Sequence, residues 1–135
     1  ELISYAFENH LKGNLEKAKI YYQLFIDKGY INNKLFNKYS VLCYQNGETN
    51  KAIELLNQSI DIYPNNPISY NNLGNMLRDL GKAKVGKEYL IKAIKLKYDF
   101  AEAHYNLSKV SIDLGEREEA KISLLNAIEI NPNYV

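Results

Sequence analysis

The chain is 135 residues long, with 46% hydrophobic, 24% charged and 12% aromatic residues, a globular composition that excludes wholesale disorder. Seventeen basic against sixteen acidic residues leave a net charge of +1, too little bias for a general electrostatic grip on nucleic acid or anionic lipid. One cysteine, Cys43, excludes an internal disulfide framework and a cysteine-rich zinc site.

Taken in chain order, helices are expected near 1–12, 15–28, 33–46, 49–62, 67–80, 83–96, 101–114 and 117–130, and no strand is needed. Turns fall at Lys12-Gly13-Asn14, Asn46-Gly47-Glu48, Leu80-Gly81-Lys82 and Leu114-Gly115-Glu116, where glycine supplies the left-handed conformation that ends a helix. In 101–114 the stripe His104, Leu107, Val110 and Leu114 runs at spacings of three and four. A second stripe, Ala120, Leu124, Ala127 and Ile128, occupies 117–130, and Asn131-Pro132-Asn133 ends it because proline cannot continue the ladder.

An internal repeat organises these helices. Gly13, Gly47, Gly81 and Gly115 recur at one fixed interval, and Ile26, Ile60, Ile94 and Ile128 keep the same period. Ala18, Ala52, Gly86 and Ala120 form a small column facing Ala6, Ser40, Gly74 and Ser108, so the second helix of each pair can approach the first closely. One helical hairpin cannot bury its own apolar stripe, so stability is expected from stacking, as in a solenoid.

A helix–turn–helix of this period, about 34 residues, with these columns resembles the tetratricopeptide repeat (TPR) family. The resemblance covers 1–32 (its first two positions missing), 33–66, 67–100 and 101–134. The third repeat supplies Tyr70, Leu73, Gly74, Leu77, Gly86, Leu90 and Ala93 to the family pattern. The fourth supplies His104, Leu107, Ser108, Ser111, Ala120, Leu124, Ala127 and Pro132. The first repeat departs most, with Phe25 where Ala is usual and Tyr30 where Pro is usual. The runs Asn71-Asn72-Leu73-Gly74-Asn75 and Phe100-Ala101-Glu102-Ala103-His104-Tyr105-Asn106-Leu107 are similar to the repeats of O-linked N-acetylglucosamine transferases and their bacterial relatives.

The resemblance implies an all-α, right-handed α-solenoid of about four repeats whose first helices line a concave groove. It implies a protein-interaction scaffold that binds an extended peptide or partner protein, with no catalysis of its own. The alternative is a substrate-presenting repeat region of a larger enzyme such as a glycosyltransferase. The groove positions it carries over include Lys38, Tyr44, Asn71, Asn72, Asn75, Arg78, Tyr105, Asn106 and Lys109. Amides can bond a peptide backbone, and tyrosines offer amphipathic area at low entropic cost. Asn72 and Asn106, one period apart, would form a two-rung asparagine ladder, since Lys38 and Ser4 fill that slot earlier; replacing both by alanine should barely move the melting temperature. The carboxylate clamp of chaperone-binding relatives is not supplied, and Glu102 would repel a terminal carboxylate.

No residue set points to catalysis, a metal or a cofactor. Gly81-Lys82-Ala83-Lys84-Val85-Gly86-Lys87-Glu88 approaches a phosphate-binding loop, but Glu88 replaces the hydroxyl and no strand precedes it. His104 occupies an aromatic core column, His10 has no catalytic partner at a recognisable spacing, and Cys43 lies on an apolar helix side. The partners expected are therefore protein or peptide, not nucleic acid or membrane, and the lone cysteine makes a reduced cytoplasm the simplest setting. The chain starts at Glu1 without a signal-peptide pattern and ends at Tyr134-Val135 directly after the last repeat, so it reads as a piece of a longer protein. Self-association through uncapped ends is a further expectation.

Overall fold

The computed structural model describes residues 2–30 and 32–133, with the backbone alone at Leu2. Eight helices follow in order: α1 (Leu2–Leu11), α2 (Leu15–Asp27), α3 (Asn33–Gln45), α4 (Thr49–Ile62), α5 (Pro67–Asp79), α6 (Ala83–Leu96), α7 (Ala101–Asp113) and α8 (Arg117–Ile130). Among the described residues there is no strand, and the fold is an all-α helical repeat.

Local chemistry sets the helix ends. Asn32 Oδ1 accepts from the backbone N–H of Lys34 and Leu35, and Asn66 Oδ1 accepts from that of Ile68, satisfying donors that a first turn leaves open. Pro67 opens α5, where its fixed φ suits the first helical position. At Gly81, with φ of 78°, the turn closes when Lys82 N–H bonds Leu77 O at 2.8 Å, and Gly13, Gly47 and Gly115 share the left-handed geometry. Gly29, with φ of 79°, ends α2 in the same way, as Tyr30 N–H bonds Phe25 O at 3.0 Å.

The helices pair as α1–α2, α3–α4, α5–α6 and α7–α8, and the chain forms two compact units, Glu1–Tyr63 and Pro64–Val135. In the first unit, Ala6, Ala18, Tyr22, Leu35, Tyr39, Ala52 and Leu56 are buried, and the Tyr22 and Tyr39 rings lie 5.5 Å apart. The Tyr39 hydroxyl donates to Gln23 Oε1 at 2.8 Å, so the ring's polar tip is satisfied.

In the second unit, Leu73, Leu90, Ala93, Ala103 and Val110 are buried. The small column brings α5 and α6 into close contact here. A Cβ added at Gly86 would lie 2.7 Å from Gly74 O, and one at Gly74 would lie 2.6 Å from Leu90 Cγ. Ala120 holds the same column place on α8, 6% exposed.

Candidate functional site

Within the second unit α5 packs against both α6 and α7, and α7 against α6 and α8, whereas the α6 and α8 backbones stand further apart. The second helices therefore splay, and α5 and α7 make the inner face. The first unit repeats the arrangement, with α1 against α3 and the α2 and α4 backbones further apart.

On α5 and α7 the asparagines divide into two kinds. Asn106 Nδ2 donates to Asn71 Oδ1 at 2.9 Å, and Asn71 Nδ2 donates to Glu102 Oε2 at 3.1 Å. Asn71 is 1% and Asn106 4% exposed, so these amides tie one repeat to the next beneath the surface. The Asn106 amide thus has one of its N–H groups engaged inside the fold. Asn72 and Asn75 are half-buried and closer to solvent, and Asn75 Oδ1 has no hydrogen-bond partner among the described residues.

The charged groups are also partly committed. Arg78 Nε donates to Asp113 Oδ2 at 2.6 Å, with a second contact of 3.3 Å from its terminal nitrogen to Oδ1, a forked pair that ties α5 to α7. Lys109 Nζ lies 5.1 Å from the Tyr105 ring centroid. Burial first, and Arg78 second, hold the Lys109 ammonium below its ordinary pKa. In the first unit Lys38 Nζ sits 5.6 Å from the Phe7 ring centroid, and Tyr44 is half-buried.

One regularity recurs in both units, at twice the repeat period. His10 Nε2 lies 3.2 Å from Gln45 Oε1, and two periods later Arg78 pairs with Asp113. Lys19 reaches Glu48 at 2.8 Å, and two periods later Lys87 reaches Glu116 at 2.6 Å. Each unit thus stitches its two hairpins at the same two places. The glycine period alone did not reveal these ties, although the paired residues stand at matching intervals in the sequence.

The residues weighed for chemistry have structural partners. His104 is 3% exposed, and its Nε2 lies 2.8 Å from the Tyr98 carbonyl oxygen, which fixes that nitrogen as the donor. His10 Nδ1 lies 3.0 Å from the Tyr22 hydroxyl. Cys43 is fully buried, and burial pushes its thiol up to about 11, away from nucleophilic thiolate. Among the described residues no group of three or more His, Cys, Asp or Glu is placed to hold a metal ion, and no helix is long and apolar enough to cross a membrane.

Comparison with known proteins agrees with this architecture. The family described as TPR repeat matches residues 42–81, and that described as Tetratricopeptide repeat matches 68–100 and 101–134. The chain is similar to the peroxisomal targeting signal receptor of Kluyveromyces lactis, 32% identical over 90 residues, covering 67% of this chain and 16% of that receptor. It is also similar to the protein O-mannosyl-transferase TMTC3 of Homo sapiens, 34% identical over 85 residues, covering 62% of this chain and 9% of that protein. The chain therefore spans only a small part of the curated relatives it matches. Among solved structures, YrrB, a TPR protein with an unusual peptide-binding site, shares the fold with a TM-score of 0.82 at 19% identity, over 96% of this chain and 66% of that one. With repeat matches running from residue 42 to residue 134 and the helix pairs described above, the chain belongs to the tetratricopeptide repeat family.

Proposed function

We propose that the inner face of α5 and α7 holds an extended polypeptide of a partner protein, as a scaffold without catalysis of its own. The observation that carries this reading is the division among the inner-face amides. Asn71 and Asn106 are locked below, while Asn72 and Asn75 stay half-exposed on α5. A primary amide offers one donor group and one acceptor, which matches a peptide group and does not depend on side-chain identity. The likeness to a targeting signal receptor supports a polypeptide partner. Binding of the chain to an array of extended peptides tests the reading. Asn72→Ala should weaken that binding about two- to tenfold, the worth of one hydrogen bond. An unchanged affinity would remove Asn72 from the site.

A second reading is favoured by the 34% identity to an O-mannosyl-transferase: the repeats present substrates to a catalytic domain elsewhere in a longer protein. The likeness of the 71–75 and 100–107 runs to O-linked N-acetylglucosamine transferase repeats points the same way. Sugar transfer by the full-length protein, lost when these repeats are deleted but retained toward a small acceptor, would support it.

A further inference from the structure

We infer that Glu102 reads a cationic group of the bound polypeptide, a lysine or arginine side chain; this rests on the α5–α7 face being a peptide-binding surface. Glu102 is exposed on the first turn of α7. A carboxylate there suits the positive end of the helix dipole, which accounts for an acid but not for what holds it. The Asn106 amide donates to Asn71 and the Asn71 amide donates to Glu102, so a one-way relay of two buried amides ends on a surface carboxylate. Stitching α5 to α7 needs only the amide pair. The last step holds one oxygen of Glu102 by a partner that is 1% exposed, restricting the side chain's rotamers before any ligand arrives.

The surroundings compensate that charge only in part, through Lys109. Among the described residues no ion pair includes Glu102. On α5, Arg78 is engaged by Asp113, and Asp79 beside it is acidic. On α7, the Lys109 ammonium two turns further along feels the Glu102 carboxylate but forms no ion pair with it and lies against the Tyr105 ring. One repeat earlier, the place of Glu102 is taken by Ile68, 47% exposed, an apolar surface suited to the aliphatic stem of a lysine or arginine. In the first unit the equivalent place carries Lys34, and the place of Asn71 carries Ile3, so that unit offers neither the carboxylate nor the amide that orients it.

The test uses immobilised peptide pools, degenerate except for one central position fixed as Lys, Arg, Ala or Glu, probed with the chain at low and high salt. The Lys and Arg pools should bind about three- to tenfold better than the Glu pool, with the difference shrinking at high salt. Glu102→Gln keeps an oxygen to accept from Asn71 while removing the charge. It should erase the preference and leave the Ala pool bound as before, while the melting temperature falls only by the small amount that losing one charge from the first turn of α7 costs. Equal binding of Lys and Glu pools by the parent chain, or a preference that survives Glu102→Gln, overturns the inference while peptide binding itself stands. Failure of every pool to bind overturns the peptide-binding reading, and the inference with it.

Discussion

Asn106 on α7 donates its side-chain amide to Asn71 on α5 across 2.9 Å, and both residues are almost wholly buried. Their separation along the chain is one position more than the repeat, so the bond runs from one column of the repeat to its neighbour. A polar pair at this depth is stable only while both members are present, because the survivor of a deletion is left buried and unsatisfied.

Asn106→Ala should accordingly destabilise the chain by about 1–3 kcal/mol, less a few tenths regained from alanine's helix propensity. Asn72→Ala, at a half-exposed position of the neighbouring repeat, should stay within about 0.5 kcal/mol. Urea midpoints of the two variants separate the cases. Equal midpoints would show that the Asn106–Asn71 bond contributes nothing to stability.

The glycine pair gives a second prediction. Alanine normally favours a helix over glycine by about 1 kcal/mol. At Gly86 the new Cβ would stand 2.7 Å from Gly74 O, and a backbone oxygen cannot swing aside. Overpacking of this kind costs about 1–3 kcal/mol and should outweigh the propensity gain, so Gly86→Ala should lower the melting temperature. Ala52, which fills the same column in the first unit, is the internal control, since Ala52→Gly should also destabilise by removing packed surface and helix propensity. A stabilised Gly86→Ala would mean that α5 and α6 can separate freely.

Tyr70 and His104 share one column and perform one task with different chemistry. The Tyr70 hydroxyl donates to Pro64 O at 2.7 Å, and His104 Nε2–H donates to Tyr98 O at 2.8 Å. Each first helix of the second unit thus secures the carbonyl of the segment entering its own repeat. Tyr70→Phe and His104→Phe should each cost about 0.5–1.5 kcal/mol, while His104→Tyr should recover part of the loss by restoring a donor. Thermal melts of the three variants check this. A His104→Phe variant as stable as the parent would reduce the role of His104 to packing alone.

The repeat architecture was legible because its signals are local and recur. Gly13, Gly47, Gly81 and Gly115 mark the turns, and the small column marks where paired helices touch. The helix bounds accordingly fall close to expectation. The inner face was legible as a set of positions but not as a set of states. Asn72 and Asn106 look equivalent at one period's spacing, yet Asn106 is buried and its amide bonds Asn71 of the preceding repeat, while Asn72 is half-buried. That outcome depends on which side chains meet between adjacent repeats, and a period read along one column does not report it. Arg78, named from sequence only as a groove position, is engaged by Asp113.

Stability should fall at alkaline pH, and the cause lies in the first unit. Burial raises the Cys43 thiol from 9.0 to about 11 and the Tyr39 phenol from 10.0 to about 12, and it raises Tyr22 further still. These groups are neutral at pH 7 in both states, so they contribute no penalty there. As pH rises past 9, the unfolded chain releases the Cys43 proton first and, past 10, those of the tyrosines, while the folded chain retains them. The unfolded state then binds fewer protons, and stability declines until the folded groups also ionise. For Cys43 alone a two-unit shift sets an upper bound of roughly 2–3 kcal/mol. Lys19 acts in the same direction: Glu48 raises its pKa, so its contribution is full below the unfolded value of 10.5 and is lost as pH rises through the folded one. Glu48, lowered chiefly by its hydrogen bond to Lys19, contributes at the other limit, above the unfolded value of 4.5, and is lost as pH falls through its folded value. Denaturant midpoints from pH 7 to 11 should drop most steeply above pH 9, and Cys43→Ala should flatten the first part of that drop. A parent and a Cys43→Ala variant with parallel pH profiles would show that the thiol ionises as readily in the fold as in the unfolded chain.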